Sequence, residues 1–185
     1  MVKNKTKKNY KFRRKDFNSN DGMLTTVWGP PMWHTLHTIS FNYPVNPTTT
    51  DKTHYKEYIL SLKNILPCGK CRTNLEKNMK NLPLKMAHMK SRQTFSKYVY
   101  DLHELVNKML GKVSGLSFNN IKNRYELFRS RCKKTITTKT PVKENGCTEP
   151  LIGEKSKCIL SIVPKSKKCE TFTIDKHCEI LKTQN

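Results

Sequence analysis

The sequence has no long apolar run, few acidic residues and a low share of hydrophobic residues. Its 185 residues include 36 Lys and Arg against 14 Asp and Glu, and only 35% are hydrophobic. A helix that crosses a bilayer needs about 20 consecutive apolar residues, and no run approaches that length, so no membrane span is expected. The first twenty residues hold many cations but no apolar block, so no secretory signal peptide is expected either.

The basic excess amounts to a formal net charge of +22 and is spread along the whole chain. Such a charge favours polyanions such as nucleic acid, and it would steer an acidic partner toward the protein. No motif that recognises bases or phosphates accompanies it. Nucleic acid is therefore expected to bind only through non-specific charge, and a biased composition with a solvated surface explains the cations equally well.

Apolar residues at helical spacing predict five helices whose ends are set by prolines, a serine and a glycine. Pro30 and Pro31 are expected in the first turn of the first helix, because proline there loses no needed N–H. Tyr43-Pro44 ends that helix. The next three helices are bounded by the threonines at 48–50, Pro67, Cys68, the capping residue Ser91 and Gly111. The shorter fifth helix carries Phe118, Ile121, Tyr125 and Phe128.

These helices predict an all-α fold, a bundle of four main helices with a short fifth. The folded domain is expected at residues 23–132. Residues 1–22 are expected to form a flexible basic leader, because they are rich in Lys and Asn. Residues 133–185 are expected to be mostly disordered, with one strand candidate at Ile159–Val163.

The strongest local signal is the CxxC pair Cys68-Gly-Lys-Cys71 at a helix start. The helix N-terminus and the neighbouring Lys70 and Arg72 favour a thiolate, most plausibly at Cys68. Dithiol redox chemistry, half of a zinc site and plain structural cysteines all fit this spacing. A zinc site would need a second CxxC or an HxxxH, and the sequence has neither. The remaining cysteines are at least nine residues apart, at 132, 147, 158, 169 and 178.

A thioredoxin is contradicted by the helix that precedes the CxxC, because thioredoxins place the motif after a β-strand. An all-α CxxC protein needs another destination for its electrons, which points to a bound redox cofactor. Two i, i+4 pairs, Trp33 with His37 and His103 with Asn107, could border such a cofactor. Each pair alone is more often core packing.

Six motifs follow one another along the chain: WGxxxWxxLH at 28–37, Tyr43-Pro44, PCxxC at 67–71, SRxxF at 91–95, LHxxVNxxLGK at 102–112 and Arg124-Tyr125. Taken together, they resemble the FAD-linked sulfhydryl oxidases of the Erv/ALR type, and look most like the versions of large DNA viruses. The resemblance covers about residues 24–130, in order and with similar gaps.

The resemblance implies a helical bundle that encloses FAD and oxidises reduced protein dithiols, with O₂ as the electron acceptor and H₂O₂ as a product. It makes Cys71 the flavin-facing cysteine and Cys68 the interchange thiol. It also implies a homodimer, with the first two helices at the interface, and, for a viral protein, a place in the host cytoplasm or the virion. The residues that it places at the cofactor are Gly29, Trp33, His37, Tyr43, Cys71, His103, Val106, Asn107, Lys112 and Tyr125.

Three features depart from the family pattern or stay open. Glu104 stands where the family usually has Asn. Tyr100 and Phe118 stand where cellular members have a structural disulfide, so apolar packing is expected there. The tail cysteines are incidental, pair with one another, or include a shuttle to the CxxC. The rival function is a basic helical module that binds zinc or nucleic acid and uses Cys68 and Cys71 as ligands.

Overall fold

A computed structural model describes residues 13–18, 22–131, 146–151, 154–170 and 172–178. Within these ranges the regular secondary structure is almost entirely helical, which confirms the all-α prediction. The α-helices are α1 Arg14–Phe17, α2 Thr25–Phe41, α3 Thr49–Ile65, α4 Gly69–Asn81, α5 Arg92–Met109 and α6 Phe118–Glu126. Single 3₁₀ turns lie at Met86–Met89 and Lys176–Cys178, and the strands β1 Ser130–Arg131 and β2 Glu149–Pro150 pair antiparallel.

Side-chain caps fix the starts of α3 and α5. Thr48 Oγ1 accepts the Asp51 N–H at 3.1 Å, while the Asp51 carboxylate accepts the Thr48 N–H at 2.8 Å. At α5, Ser91 Oγ accepts the Thr94 N–H at 3.2 Å, which confirms Ser91 as the cap. Each such bond satisfies a backbone donor that the first helical turn leaves unpaired, and a cap of this kind is worth about 1 kcal/mol.

The core lies where α5 packs against α2 and α4, and where α3 packs against α4. Tyr43, Phe95 and Met89 are fully enclosed at its centre. The other buried members of the cluster are Leu36, Ile59, Leu62, Leu66, Leu75, Met79, Leu84, Tyr98, Val99 and Leu102. Cys71 and Trp33 are partly buried and pack against this cluster, so the CxxC and the first helix share one support.

The expected start of the first helix was wrong, because α2 begins at Thr25 and contains Pro30 and Pro31. The extra N-terminal turn is held from outside the helix. Trp28 Nε1 donates to the Met23 carbonyl at 3.1 Å, and the Met23 N–H donates to the Pro67 carbonyl at 2.8 Å. These tertiary contacts outweigh the preference of proline for the first helical position.

The expected strand at Ile159–Val163 was also wrong, because this segment has no regular structure and is exposed. Among the described residues of the tail, the strand that forms is β2, and it pairs with β1, which follows α6. Phe128 follows α6 instead of lying in it. Residues 1–12, 19–21, 132–145, 152–153, 171 and 179–185 lie outside the described ranges. The flexible leader and the mostly disordered tail stay predictions, with α1 inside the first and β2 inside the second. No described helix is both long and apolar enough to cross a membrane.

Tyr100 and Phe118 meet as expected at the place of the missing disulfide. Their ring centroids lie 5.7 Å apart in an edge-to-face arrangement. The Tyr100 hydroxyl also donates to the Leu116 carbonyl at 2.8 Å. An aromatic contact and a hydrogen bond therefore join α5 to the start of α6.

Candidate active site

The CxxC pair lies at the N-terminus of α4 and is joined in a disulfide. Cys68 caps the helix, and its Sγ accepts the Cys71 N–H at 3.2 Å. Both residues are half-buried, and Cys71 packs against the core. After reduction, the same N–H and the positive end of the helix dipole would stabilise a thiolate on Cys68. This environment suits an interchange thiol at Cys68 and an enclosed partner at Cys71.

The segment that precedes α2 lies directly on the backbone of this pair. Gly22 forms an isolated antiparallel bridge with Cys68. Its φ is +111°, and a Cβ at this position would stand 2.6 Å from the Pro67 carbonyl oxygen and 2.9 Å from the Cys68 Cα. The position therefore requires glycine both for its dihedral angle and for the close approach. Sequence analysis missed this contact, because glycine in a polar segment carries no pairing signal.

Replacing Gly22 with alanine is expected to destabilise the protein by about 1–3 kcal/mol, since the backbone must leave a strained conformation or displace Pro67. The displacement would also expose the Cys68–Cys71 disulfide to faster reduction by dithiothreitol. Denaturant unfolding and the reduction rate of this disulfide are the measurements. Gly115→Ala is the matched control, because Gly115 also has a positive φ (+65°) but nothing within 4 Å of a new Cβ. Equal reduction rates in the two variants would contradict the role of the bridge.

A second group of predicted residues meets between α2 and α5. The Trp33 and His103 rings are stacked, with centroids 4.0 Å apart and an interplanar angle of 8°. His37 Nε2 and His103 Nδ1 share a hydrogen bond of 3.0 Å. The other nitrogen of His37, Nδ1, is buried and has no hydrogen-bond partner among the described residues. A buried polar atom without a partner is costly, so Nδ1 is available to a ligand.

Both histidines of this pair are held in the neutral state. Burial, together with the neighbouring His103 and His34, lowers the pKa of His37 to about 3. Burial also lowers the pKa of His103 to about 4, and Lys112 acts in the same direction against the opposing charge of Glu104. The hydrogen bond between the rings therefore joins a donor and an acceptor of two neutral imidazoles.

The pH dependence of stability follows from these pKa values. Between the ordinary histidine pKa of 6.5 and about 4, the unfolded chain binds more protons than the folded one, so the free energy of unfolding falls as the pH is lowered. The slope reaches at most about 1.4 kcal/mol per pH unit for each histidine. Denaturant unfolding from pH 7 to pH 4 measures this slope. His37→Gln is expected to flatten it. A variant slope parallel to that of the wild type would contradict the assignment.

Tyr125 extends the group from α6. Its ring centroid lies 5.3 Å from that of His37 and 5.4 Å from that of Phe41. Its hydroxyl shares a hydrogen bond of 3.2 Å with His34 Nδ1, and burial raises the pKa of the phenol above its ordinary value. We call Trp33, His37, His103 and Tyr125 the aromatic–histidine cluster. His34 was missed by sequence analysis, although its spacing of three residues from His37 places both on one face of α2.

The remaining residues that were predicted to contact the cofactor lie on α2, on α5, after α5 and in the core. Gly29 lies one turn before Trp33 on α2, and the space beside it is open. The side-chain amide of Asn107 donates to the Glu104 carboxylate at 3.0 Å. Glu104, which differs from the family pattern, therefore binds a residue that is predicted to contact the cofactor. Val106 is half-buried on α5, and the exposed Lys112 follows that helix. Tyr43 lies elsewhere: it is fully buried and donates its hydroxyl to the Met89 carbonyl at 2.9 Å.

The tail cysteines differ in their state. Cys158 and Cys169 are exposed free thiols, Cys178 is a half-buried free thiol, and Cys147 is disulfide-bonded. Cys132 lies outside the described residues. The zinc-binding alternative is not supported: Cys68 and Cys71 are joined to each other, and the described ranges contain no group of three or more His, Cys, Asp or Glu arranged to hold a metal.

The sequence profile of the Erv1 / Alr family matches residues 30–126, which is more than half of the chain. The matched segment holds the CxxC and the aromatic–histidine cluster. The tail lies beyond it, and so do Gly22 and Gly29.

Relatives of the chain come from viruses and from cells. It is 38% identical over 90 residues to a probable FAD-linked sulfhydryl oxidase of Acanthamoeba polyphaga mimivirus, covering 49% of this chain and 63% of that protein. It is 30% identical to a putative FAD-linked sulfhydryl oxidase of Invertebrate iridescent virus 6, covering 46% and 81%. The crystal structure of the FAD binding domain of Erv1 from Saccharomyces cerevisiae is similar with a TM-score of 0.48 and 27% identity, covering 52% of this chain and 89% of that one. The match thus spans less than two thirds of the mimivirus protein.

Proposed function

Because the chain belongs to the Erv1 / Alr family, we propose that it is an FAD-linked sulfhydryl oxidase that forms disulfides in protein dithiols. The observation that carries this proposal is the Cys68–Cys71 disulfide at the N-terminus of α4. Named FAD-linked sulfhydryl oxidases among the relatives support it.

The aromatic–histidine cluster fits a planar cofactor such as FAD. It offers the stacked pair of Trp33 and His103, the Tyr125 ring, the open space beside Gly29, and His37 Nδ1, which has no partner among the described residues. The proposed site also includes Asn107 and Lys112 as polar contacts, and Val106 and Cys71 as less polar ones. Tyr43 belongs to the same predicted set, but it lies in the core, where its hydroxyl donates to the Met89 carbonyl. FAD supplies a two-electron acceptor when bound.

The cysteines carry the exchange with the protein substrate. A substrate thiolate attacks Cys68 Sγ, the Cys68–Cys71 bond breaks, and Cys71 leaves as a thiolate. The second substrate thiolate then attacks the sulfur bonded to Cys68, which releases the substrate disulfide and the Cys68 thiolate. The pair has gained two electrons and takes up the two protons of the substrate thiols. The Cys71 N–H, which lies 3.2 Å from Cys68 Sγ, stabilises the thiolate formed there.

The proposal extends to the acceptor, the assembly and the place of action. O₂ accepts two electrons and two protons for each disulfide formed and becomes H₂O₂. A homodimer would use α2 and α3, between which Ile39, His54, Tyr55 and Tyr58 line a shallow depression. The viral relatives support a viral protein that acts in the host cytoplasm or in the virion.

The test is a visible absorption spectrum of the purified, desalted protein. A flavin band that bleaches with dithiothreitol under argon and returns in air supports the oxidase, as does oxygen consumption that yields H₂O₂. A protein that binds no flavin on reconstitution with FAD overturns the proposal. A flavin that stays oxidised under excess dithiol limits the site to cofactor binding and overturns the proposed activity.

A further inference from the structure

A segment of the tail returns to the proposed cofactor site through Phe172. The Phe172 ring is parallel to that of Tyr125, with an interplanar angle of 3° and centroids 6.5 Å apart. It lies 5.3 Å from the His34 ring and meets Phe128 edge-on at 6.4 Å. We call His34, Tyr125 and Phe128 the platform. The platform is contributed by α2, α6 and the residues just after α6.

Hydrogen bonds hold the start of the tail next to the platform. The Arg129 guanidinium donates to the Phe41 carbonyl at 2.7 Å, which joins the end of α6 to the end of α2. The Leu151 N–H donates to the Arg129 carbonyl at 2.8 Å, beside the β1–β2 pairing. The tail is thus anchored next to the platform at Leu151. Docking of Phe172 closes the loop that starts at this anchor, and the entropic cost of closing a loop grows only slowly with its length.

Phe172 covers the platform without filling the interior of the cluster. Its described ring contacts go to His34, Tyr125 and Phe128, and none goes to Trp33, His37 or His103. His37 Nδ1 keeps no partner within the described residues while Phe172 is docked. Tyr125 contacts His37 and Phe172 at once. Phe172 therefore lies outside the layer that is proposed to hold FAD.

We propose that residues 172–178 form a lid on the FAD site, and that Phe172 docked on the platform slows the release of the cofactor. This inference rests on the proposed function. Phe172 shields Tyr125 and His34 from water and holds Tyr125 in place against His37. Docking and FAD binding therefore favour each other, and by linkage each must stabilise the other by the same factor.

The first test measures FAD release directly. FAD-loaded protein is diluted rapidly, and the fluorescence of the released FAD is followed over time. Phe172→Ala is expected to raise the release rate about three- to tenfold, the size of a lost aromatic contact. The matched control is Ile162→Ala, which truncates an apolar side chain of the same tail that is 69% exposed. It is expected to release FAD at the wild-type rate.

The second test follows the lid itself and does not depend on turnover. Cys178 is the half-buried free thiol of the segment, whereas Cys158 and Cys169 are exposed. Alkylation by iodoacetamide, read at each cysteine by mass spectrometry, is expected to be slower at Cys178 in the FAD-loaded protein than in the apoprotein. Phe172→Ala is expected to abolish this difference, while Cys158 reacts at the same rate in every state.

The outcomes separate the lid from the proposed function. A wild-type chain that binds no flavin removes the oxidase and the lid together. A flavin-binding chain whose Phe172→Ala variant releases FAD at the wild-type rate removes the lid alone. Slower release from Phe172→Ala would mean that the ring competes with FAD and would overturn the lid equally.

Discussion

Replacing either cysteine of the CxxC with serine is expected to lower the turnover of dithiothreitol by at least about a thousandfold, because serine can neither form nor exchange the disulfide. Oxygen consumption by the FAD-loaded variants measures this loss. The matched control is Cys158→Ser, which removes an exposed thiol of the tail. A small dithiol reaches the CxxC without a shuttle, so this control is expected to turn over at the wild-type rate. Residual activity above one tenth in Cys68→Ser or Cys71→Ser would contradict the proposed cycle.

The two variants also distinguish the roles of the cysteines. In Cys71→Ser, the remaining Cys68 thiol keeps the helix N-terminus, and we expect it to form mixed disulfides readily. In Cys68→Ser, the remaining Cys71 packs against the core and is expected to react at least about ten times more slowly. Reaction with a disulfide reagent, located by mass spectrometry, measures both rates. The reverse order would exchange the proposed roles of Cys68 and Cys71.

Replacing His103 with alanine is expected to weaken FAD binding about ten- to a thousandfold. The substitution removes the ring stacked on Trp33 and leaves both nitrogens of the buried His37 without partners. Loss of an aromatic pair costs about 0.5–1.5 kcal/mol, and an unsatisfied buried polar group costs about 1–3 kcal/mol. Titration of the apoprotein with FAD, followed by flavin fluorescence, gives the affinity.

Two comparisons make this experiment specific to the pair. His54→Ala changes an exposed histidine of α3 and is expected to bind FAD like the wild type. His37→Ala is expected to share most of its effect with His103→Ala, so that the double variant loses less than the two losses combined. Unchanged affinity in His103→Ala would remove the aromatic–histidine cluster from the cofactor site.

The sequence predicted those parts of the fold that depend on local patterns. Ser91 caps α5 as expected, and Gly111 follows that helix with a positive φ. Tyr100 and Phe118 meet as expected, at the positions where the cellular family pattern has a disulfide and this chain has none. The start of α2 that was predicted from Pro30 and Pro31 lies too late in the chain. The turn before these prolines is stabilised by the hydrogen bond between Met23 and Pro67. This bond joins residues more than forty positions apart, so no local sequence pattern predicts it.

The candidate site was predictable to a similar degree. Trp33, His37, His103 and Tyr125 were identified as a set and do meet. The Ile159–Val163 segment has strand-forming residues but no partner strand in the described ranges, and composition alone cannot supply one. Phe172 lies in a tail without periodicity, so its return to the platform follows only from three-dimensional packing.

The bridge between Gly22 and Cys68 determines where the preceding segment enters the folded body. Gly22 touches the backbone of Cys68, so a segment joined to the N-terminal side of Gly22 is attached to the domain beside the disulfide. The aromatic–histidine cluster is built from α2, α5 and α6 and does not share this contact. Exchange or extension of the N-terminal segment is therefore expected to change the surroundings of the disulfide while it leaves the aromatic–histidine cluster unchanged.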